Sequence, residues 1–356
     1  MFLPWFFVIL GRGNTATPTL LRMLRMNIAT HIANRVFSLT GPEDFGPLAL
    51  EVFHFQYEHN AVYRRFCQSL GWGPGDVSQL EDIPFLPVEL FKSRRVVSFS
   101  GSERLVFESS GTGGGGASRH FVFDPEVYRH SYMQGFRFFY GEPSDYCILA
   151  LLPSYLERQG SSLVYMASGL IEASGHPLGG FYLSDLHRLS GTIGELMATG
   201  QRLLLLGVSF ALLDLAAAHP MPLHNAIVME TGGMKGRRRE MVREELHGIL
   251  CHAFSLEKIH SEYGMTELFS QAYSAGGGRF ACPPWMRVLV REDNDPLAYA
   301  AAGRAGGINV VDLSNLYSCS FIATQDLGRL LPGGQFEVLG RFDHSDVRGC
   351  NLMVET

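Results

Sequence analysis

Blocks of apolar and polar residues follow one another along the chain, and their period changes from one region to the next. Between residues 43 and 70, apolar positions such as Phe45, Val52 and Phe66 recur at helical spacing, and Gly71 provides a helix stop. Further along, continuous apolar runs at 147–152, 202–206 and 226–229 alternate with helical stretches at 125–139, 161–168, 186–199 and 210–219. Because fully apolar runs are typical of strands covered on both faces, this alternation predicts a parallel sheet with crossover helices.

Both ends of the chain differ from this pattern. Beyond residue 283, short β-like runs at 288–290, 308–311, 320–324 and 336–339 are separated by glycines, which predicts a smaller β-rich lobe. At the start, an apolar run lacks the basic residues of a signal peptide and the length to span a bilayer. We predict an extension over 1–25, an α/β core over 26–282, a β-rich lobe of the same unit over 283–340, and a tail over 341–356.

Composition narrows the class of protein. The chain has 356 residues, of which 46% are hydrophobic and 18% charged, as in ordinary globular enzymes. Its net charge of −6 argues against nucleic-acid binding. The 6 cysteines are scattered without metal-site spacing, which indicates a reducing compartment such as the cytoplasm. We predict no stable membrane insertion, and the oligomeric state is not indicated.

A loop rich in glycine and hydroxyl groups is the strongest candidate for chemistry. It comprises Ser109, Ser110, Gly111, Thr112, Gly113 and Gly114, followed by two further glycines. Such a loop can direct several backbone N–H groups at one phosphate. Strand-like runs at 104–108 and 119–123 flank it, so we predict a hairpin. We predict a further strand at 96–99, before the hairpin.

Other interpretations of this loop are weaker. A P-loop needs a lysine directly after its glycines, and none is present. A dinucleotide fingerprint needs a helix after the last glycine and an acid about 20 residues on, and neither follows. The interpretation of the loop as a plain flexible turn is not excluded by the sequence.

Further motifs follow the loop in a fixed order. They are Gly232-Gly233-Met234 after an apolar run, Tyr263-Gly264-Met265-Thr266-Glu267, Asp326, and Gly340-Arg341-Phe342-Asp343. Together with the glycine loop they resemble, in type and order, the nucleotide-binding motifs of the acyl-adenylate-forming superfamily. The chain is identified as a member of that superfamily on this resemblance. Each motif alone has a plainer interpretation, such as a turn at Gly232 or a surface carboxylate at Asp326.

The resemblance implies a role for each of these residues in binding ATP and Mg²⁺. Residues 109–114 would hold the phosphates, Gly232, Gly233 and Met234 would border the adenine, and Tyr263 and Gly264 would lie against the base. Thr266 would contact the α-phosphate, Glu267 would hold the metal, Asp326 would accept the ribose hydroxyls, and Arg341 would meet the nucleotide.

Other segments resemble one family within the superfamily, the acyl-protein synthetases of the bacterial luciferase fatty-acid reductase complex. They are Phe55–Cys67, Pro84–Ser93, Leu152–Arg158 and the tail around Cys350. The resemblance implies that a fatty acid, expected to be long-chain, is activated as acyl-AMP. The acyl group would then pass to Cys350 and on to a partner such as a fatty acyl reductase.

The same resemblance implies a large α/β domain with mostly parallel strands flanked by helices and a smaller β-rich lobe, without the superfamily's usual C-terminal domain. The catalytic lysine that this C-terminal domain supplies in the superfamily would then be missing. Lys235 is a hypothetical substitute for its positive charge. For Cys350, a buried structural residue is the plainer interpretation. Cys319 is a weaker acyl carrier than Cys350, because it falls in an apparent strand.

Three other functions remain open on the sequence. An aryl- or acyl-CoA ligase would use coenzyme A as the acceptor. An oxidoreductase would bind NAD through the glycine loop. A non-catalytic subunit of an acyl-transfer complex would bind nucleotide without turnover.

Overall fold

The computed structural model describes residues 28–110, 116–153, 160–232, 241–293 and 295–342. Its helices are 28–36 (α1), Pro42–His59 (α2), Ala61–Ser69 (α3), Leu90–Ser93 (α4), Pro125–Tyr140 (α5), Ser162–Ser174 (α6), Leu186–Thr199 (α7), Ser209–Ala218 (α8) and Arg243–Phe254 (α9). Its strands are Leu86–Pro87 (β1), Leu105–Glu108 (β2), Arg119–Val122 (β3), Cys147–Leu151 (β4), Gly180–Phe181 (β5), Leu203–Val208 (β6), Ala226–Thr231 (β7), His260–Tyr263 (β8), Ala272–Ser274 (β9), Arg279–Ala281 (β10), Met286–Arg291 (β11), Ala305–Asp312 (β12), Phe321–Leu330 (β13) and Phe336–Arg341 (β14).

A 12-stranded sheet runs through the described part of the chain. Its order is β11-β12-β13-β14-β10-β9-β8-β7-β6-β4-β5, with β1 added alongside β13. In this order, the neighbouring strands from β8 through β7, β6 and β4 to β5 are parallel. The neighbouring strands from β11 through β12, β13, β14, β10 and β9 to β8 are antiparallel. Every residue of β4 and β6 is buried, as their apolar sequences predict. The predicted α/β fold with a mostly parallel core is confirmed.

Local signals set the helix boundaries around this sheet. Helix α5 begins after Asp124, whose side chain accepts a hydrogen bond from the Glu126 backbone N–H. Helix α6 continues to Ser174, beyond the predicted end at residue 168, because its left-handed C-cap is Gly175. The predicted strand at 96–99 does not form. The Ser98 backbone there donates a single hydrogen bond to the Tyr317 carbonyl instead of joining a ladder.

Two hydrophobic clusters fill the described molecule. The first joins the parallel strands to helices α5 to α9, and the second joins helices α1 to α3 to strands β11 to β14. Gln56 on α2 shows how the second is fixed, since its buried amide donates to the carbonyls of Asn315 and Leu316. The segment from Tyr263 to Tyr273 contributes side chains to both clusters. The division of this unit into an α/β core over 26–282 and a β-rich lobe over 283–340 stays a prediction.

Candidate active site

The carboxyl ends of the parallel strands bring two predicted motifs together. Strand β7 ends at Thr231, and Gly232 follows with a left-handed φ of 65°. Thr231 pairs in register with Glu262 of β8, so Gly232 and Tyr263 are neighbours at one edge of the sheet. The Ser209 hydroxyl donates to the Gly232 carbonyl over 2.8 Å, which anchors this turn to α8. Ligands of open α/β sheets gather at this edge.

The glycine loop joins two paired strands. Strands β2 and β3 are antiparallel, with Glu108 opposite Arg119. Ser109 and Ser118 close the hairpin, because each backbone N–H donates to the other residue, over 3.0 Å and 2.8 Å. The predicted hairpin is confirmed. A strand rather than a helix follows the last glycine, so the dinucleotide-fingerprint interpretation of this loop is wrong.

The base of this hairpin contacts the segment that carries Thr266 and Glu267. Glu267 is 6% exposed, and the Ser118 side chain lowers the pKa of its carboxyl. The His120 Nδ1 lies 2.8 Å from the Thr266 carbonyl, across 146 residues of sequence. The structure therefore places the glycine hairpin and Glu267 side by side.

The burial and the neighbouring charges of Glu267 are suited to a carboxylate that binds a metal ion on its own. Burial raises its pKa, whereas the Ser118 side chain and the charges of Arg341 and Lys92 oppose this. A cation beside a buried carboxyl favours its ionised form. No cluster of three or more metal-ligating side chains occurs among the described residues. Mg²⁺ often needs only one or two carboxylates, because substrate phosphates and waters complete its shell. The residues present therefore fit Mg²⁺ carried with a nucleotide.

Three further predicted residues form one hydrogen-bonded unit. The Tyr263 hydroxyl donates to Asp326 Oδ2 over 2.8 Å, and Arg341 Nε lies 3.1 Å from Asp326 Oδ1. Asp326 and Arg341 face each other across β13 and β14. Burial, and next the negative charge of Asp326, raise the pKa of Tyr263, so its phenol stays protonated as a donor. Arg341 remains 78% exposed and reaches solvent from this unit.

A buried carboxyl pair lies beneath the same edge. Glu262 accepts a hydrogen bond from the Thr231 hydroxyl, and burial raises the pKa of Glu262 to about 7. Its neighbour Glu230 lies 3.5 Å from Arg243 Nε. Gly264 is required here, because a Cβ at this position would collide with the Glu262 carboxyl.

Sequence reasoning missed several of these residues. Ser118, His120, Glu262 and Ser209 were not predicted, although each adjoins a predicted motif. The sequence did contain a signal for Ser118, because this hydroxyl residue lies between the glycine run and strand β3.

Comparison with known proteins places this site in a family context. A family model described as "Acyl-protein synthetase, LuxE" matches residues 45–119. The long-chain-fatty-acid–luciferin-component ligase of Vibrio harveyi is 24% identical over 327 residues, which cover 84% of each chain. The chain is therefore similar to this ligase over most of its length. The ligase of the same name from Photorhabdus luminescens is 34% identical over 68 residues, 19% of this chain and 58% of that protein.

Solved structures of other proteins share the fold of this chain. ATP-bound MatB from Rhodopseudomonas palustris superposes with a TM-score of 0.52 at 16% identity, covering 68% of this chain. The chain spans about half of MatB, 49% of its length. An open conformation of 2-hydroxyisobutyryl-CoA ligase in complex with 2-HIB-AMP and CoA gives a TM-score of 0.62 at 14% identity, covering 84% of this chain and 70% of that one. The fold is that of adenylate-forming enzymes.

Part of the predicted site lies outside the described residues. This applies to Gly111, Thr112, Gly113 and Gly114, to Gly233, Met234 and Lys235, and to Cys350. The described members are Ser109, Ser110, Gly232, Tyr263, Gly264, Thr266, Glu267, Asp326 and Arg341. For the acyl-protein synthetase interpretation, the 2.8 Å contact between His120 of the hairpin and the Thr266 carbonyl beside Glu267 is the main support from geometry.

Proposed function

We propose that this protein is an ATP-dependent ligase that activates a fatty acid, expected to be long-chain, as acyl-AMP and transfers the acyl group to a cysteine thiol. The observation that carries the proposal is the contact between the glycine hairpin and the segment of the predicted metal-binding carboxylate, where His120 Nδ1 lies 2.8 Å from the carbonyl of Thr266, the residue before Glu267. The ligase names of the relatives agree with it.

Two groups of residues would bind the nucleotide. The hydroxyls of Ser109 and Ser110 and the backbone N–H groups of the loop would hold the phosphates. Gly232 and Tyr263 would form the wall against the adenine. Both Asp326 oxygens already accept one hydrogen bond or ion pair. Each carboxylate oxygen has a second lone pair, so Asp326 can still accept from the ribose hydroxyls.

The first chemical step forms a mixed anhydride. A carboxylate oxygen of the fatty acid attacks the α-phosphorus of ATP, the bond to the bridging oxygen breaks, and pyrophosphate leaves. Thr266 would contact the α-phosphate, and Lys235 is proposed to supply a positive charge near it. Mg²⁺ bound with ATP would offset negative charge on the phosphates, with Glu267 as its protein ligand.

The second step transfers the acyl group. The Cys350 thiolate attacks the carbonyl carbon, the bond to the phosphate oxygen breaks, and AMP leaves. The thioester on Cys350 would then pass its acyl group to a thiol of a partner protein, such as a fatty acyl reductase. We place this chemistry in the cytoplasm, where thiols stay reduced. No helix in the described ranges has the length and apolar character needed to cross a bilayer.

Labelling of the protein by a radioactive fatty acid tests the proposal. With ATP and Mg²⁺ but without coenzyme A, we expect label on the protein that hydroxylamine removes and that Cys350→Ser abolishes. Cys251→Ser, at a partly exposed cysteine on α9, is the matched control and should retain the label. Labelling that persists in Cys350→Ser, or a product that forms only with coenzyme A, would contradict the proposal.

A further inference from the structure

A cavity of about 420 Å³ opens at the edge of the sheet opposite the candidate active site. Tyr146 directly precedes β4, Arg202 directly precedes β6, Ile227 is the second residue of β7, and His260 begins β8. The cavity therefore lies at the amino ends of the parallel strands. The rest of its lining is Phe139, Tyr140, Tyr273, Ala275, Arg279, Ala281 and Gln335.

This cavity is separate from the nucleotide edge. From Ile227 to Gly232 the chain runs along β7, which at about 3.3 Å per residue corresponds to ~16 Å. None of the predicted nucleotide-binding residues that the structure describes lines the cavity. Its volume falls in the usual range for small-molecule sites, about 300 to 1,000 Å³.

The charge of the lining is positive. Arg202 and Arg279 line the cavity, and its lining within the described ranges contains no aspartate or glutamate. Among the described residues, neither arginine forms an ion pair with a carboxylate. Burial, with smaller effects of Lys258 and His247, lowers the pKa of His260 to about 4, so its imidazole is neutral near pH 7. The two guanidinium groups thus supply the net charge.

The walls are aromatic. The Tyr273 ring centroid lies 5.3 Å from those of both Phe139 and Tyr140. The Arg202 guanidinium lies 4.3 Å from the ring centroid of Tyr146, so a cation–π contact holds it at the cavity wall. The Tyr140 hydroxyl and His260 Nδ1 are 3.2 Å apart, which fixes both side chains in the wall.

Unpaired guanidinium groups beside aromatic walls match one ligand chemistry. Guanidinium binds carboxylate and phosphate through paired N–H donors, and the rings favour a flat or apolar body. We propose that this cavity binds a small organic anion, with its carboxylate or phosphate on Arg202 and Arg279 and its apolar body against Phe139, Tyr140 and Tyr273. This site is distinct from the one where ATP would bind.

Fluorescence titration of the full chain with 2-naphthyl phosphate, 2-naphthoate and the uncharged 2-naphthol tests the proposal. We expect one or both anions to bind and 2-naphthol to bind at least about tenfold more weakly, because it lacks the group that the arginines recognise. Arg202→Gln and Arg279→Gln should each weaken anion binding about tenfold. Arg304→Gln is the matched control, because Arg304 is exposed and does not line the cavity.

Competition with MgATP identifies the site that the probe occupies. We expect saturating MgATP to leave probe binding unchanged, since the two sites lie at opposite edges. Whichever anion binds more tightly identifies the preferred head group, and either result supports the proposal. Equal binding of 2-naphthol, unchanged affinity in both arginine variants, displacement by MgATP, or no binding of either anion would each overturn it.

Discussion

The buried carboxyl of Glu262 gives a prediction that can be worked through from the structure. Burial raises its pKa from 4.5 to about 7; the Thr231 hydrogen bond opposes this and the neighbouring Glu230 adds to it. The folded chain therefore binds this proton more tightly than the unfolded chain does. Stability from Glu262 is complete below pH 4.5 and is lost as the pH rises through about 7.

Replacing Glu262 with glutamine removes this pH dependence and keeps an acceptor for Thr231. A tenfold difference in proton affinity corresponds to about 1.4 kcal/mol, so the two pKa values set a ceiling of about 3 kcal/mol on the effect. Glu262→Gln should therefore be more stable than the wild type at about pH 8, by up to that amount, and similar to it near pH 4.

Urea unfolding at about pH 5 and about pH 8 measures the effect as a difference between variant and wild type. That difference cancels the titration of groups that do not interact with Glu262. Glu195→Gln, at an exposed position on α7, should show no change with pH and serves as the control. If Glu262→Gln differed from the wild type by the same amount at both pH values, the reasoning about its burial would be refuted.

Other side chains give predictions of the same kind. Glu267→Gln should lower fatty-acid-dependent ATP–pyrophosphate exchange about 100-fold, because the metal loses its charged ligand, while urea unfolding stays near that of the wild type. Tyr263→Phe removes the donor to Asp326 and should cost about 1–3 kcal/mol in urea unfolding, with a raised KM for ATP. Tyr273→Phe should leave the free energy of unfolding unchanged or raise it, since the buried Tyr273 hydroxyl has no hydrogen-bond partner within the described ranges. Asp312→Ala should cost more than about 3 kcal/mol in the same assay, because Asp312 accepts from the backbone of residues 269 and 270 and from two serine hydroxyls.

Local sequence patterns were enough to predict the parallel core. The apolar runs that became β4, β6 and β7 are signals contained within a few residues. The hairpin around the glycine loop follows from strand-like runs on both sides, and Asp124 with Pro125 marked the start of α5. These features depend on neighbouring residues, so the sequence reports them directly.

Contacts between distant segments could not be predicted in this way. The packing of α2 against β12 and β13 depends on Gln56, whose amide meets Asn315 at a separation of 259 residues. The His120–Thr266 contact likewise forms only once the hairpin folds onto the segment after β8. Burial of Glu262 depends on Thr231 in the adjacent strand, and nothing local to residue 262 indicates it.

Fatty-acid-dependent ATP–pyrophosphate exchange tests the central claim most directly, because it measures reversible acyl-AMP formation without any acceptor. Across a series of fatty acids of increasing chain length, the account predicts exchange that requires the acid and Mg²⁺, that persists in Cys350→Ser, and that falls in Glu267→Gln. Absence of exchange with every acid, in protein that is folded and binds ATP, would contradict it.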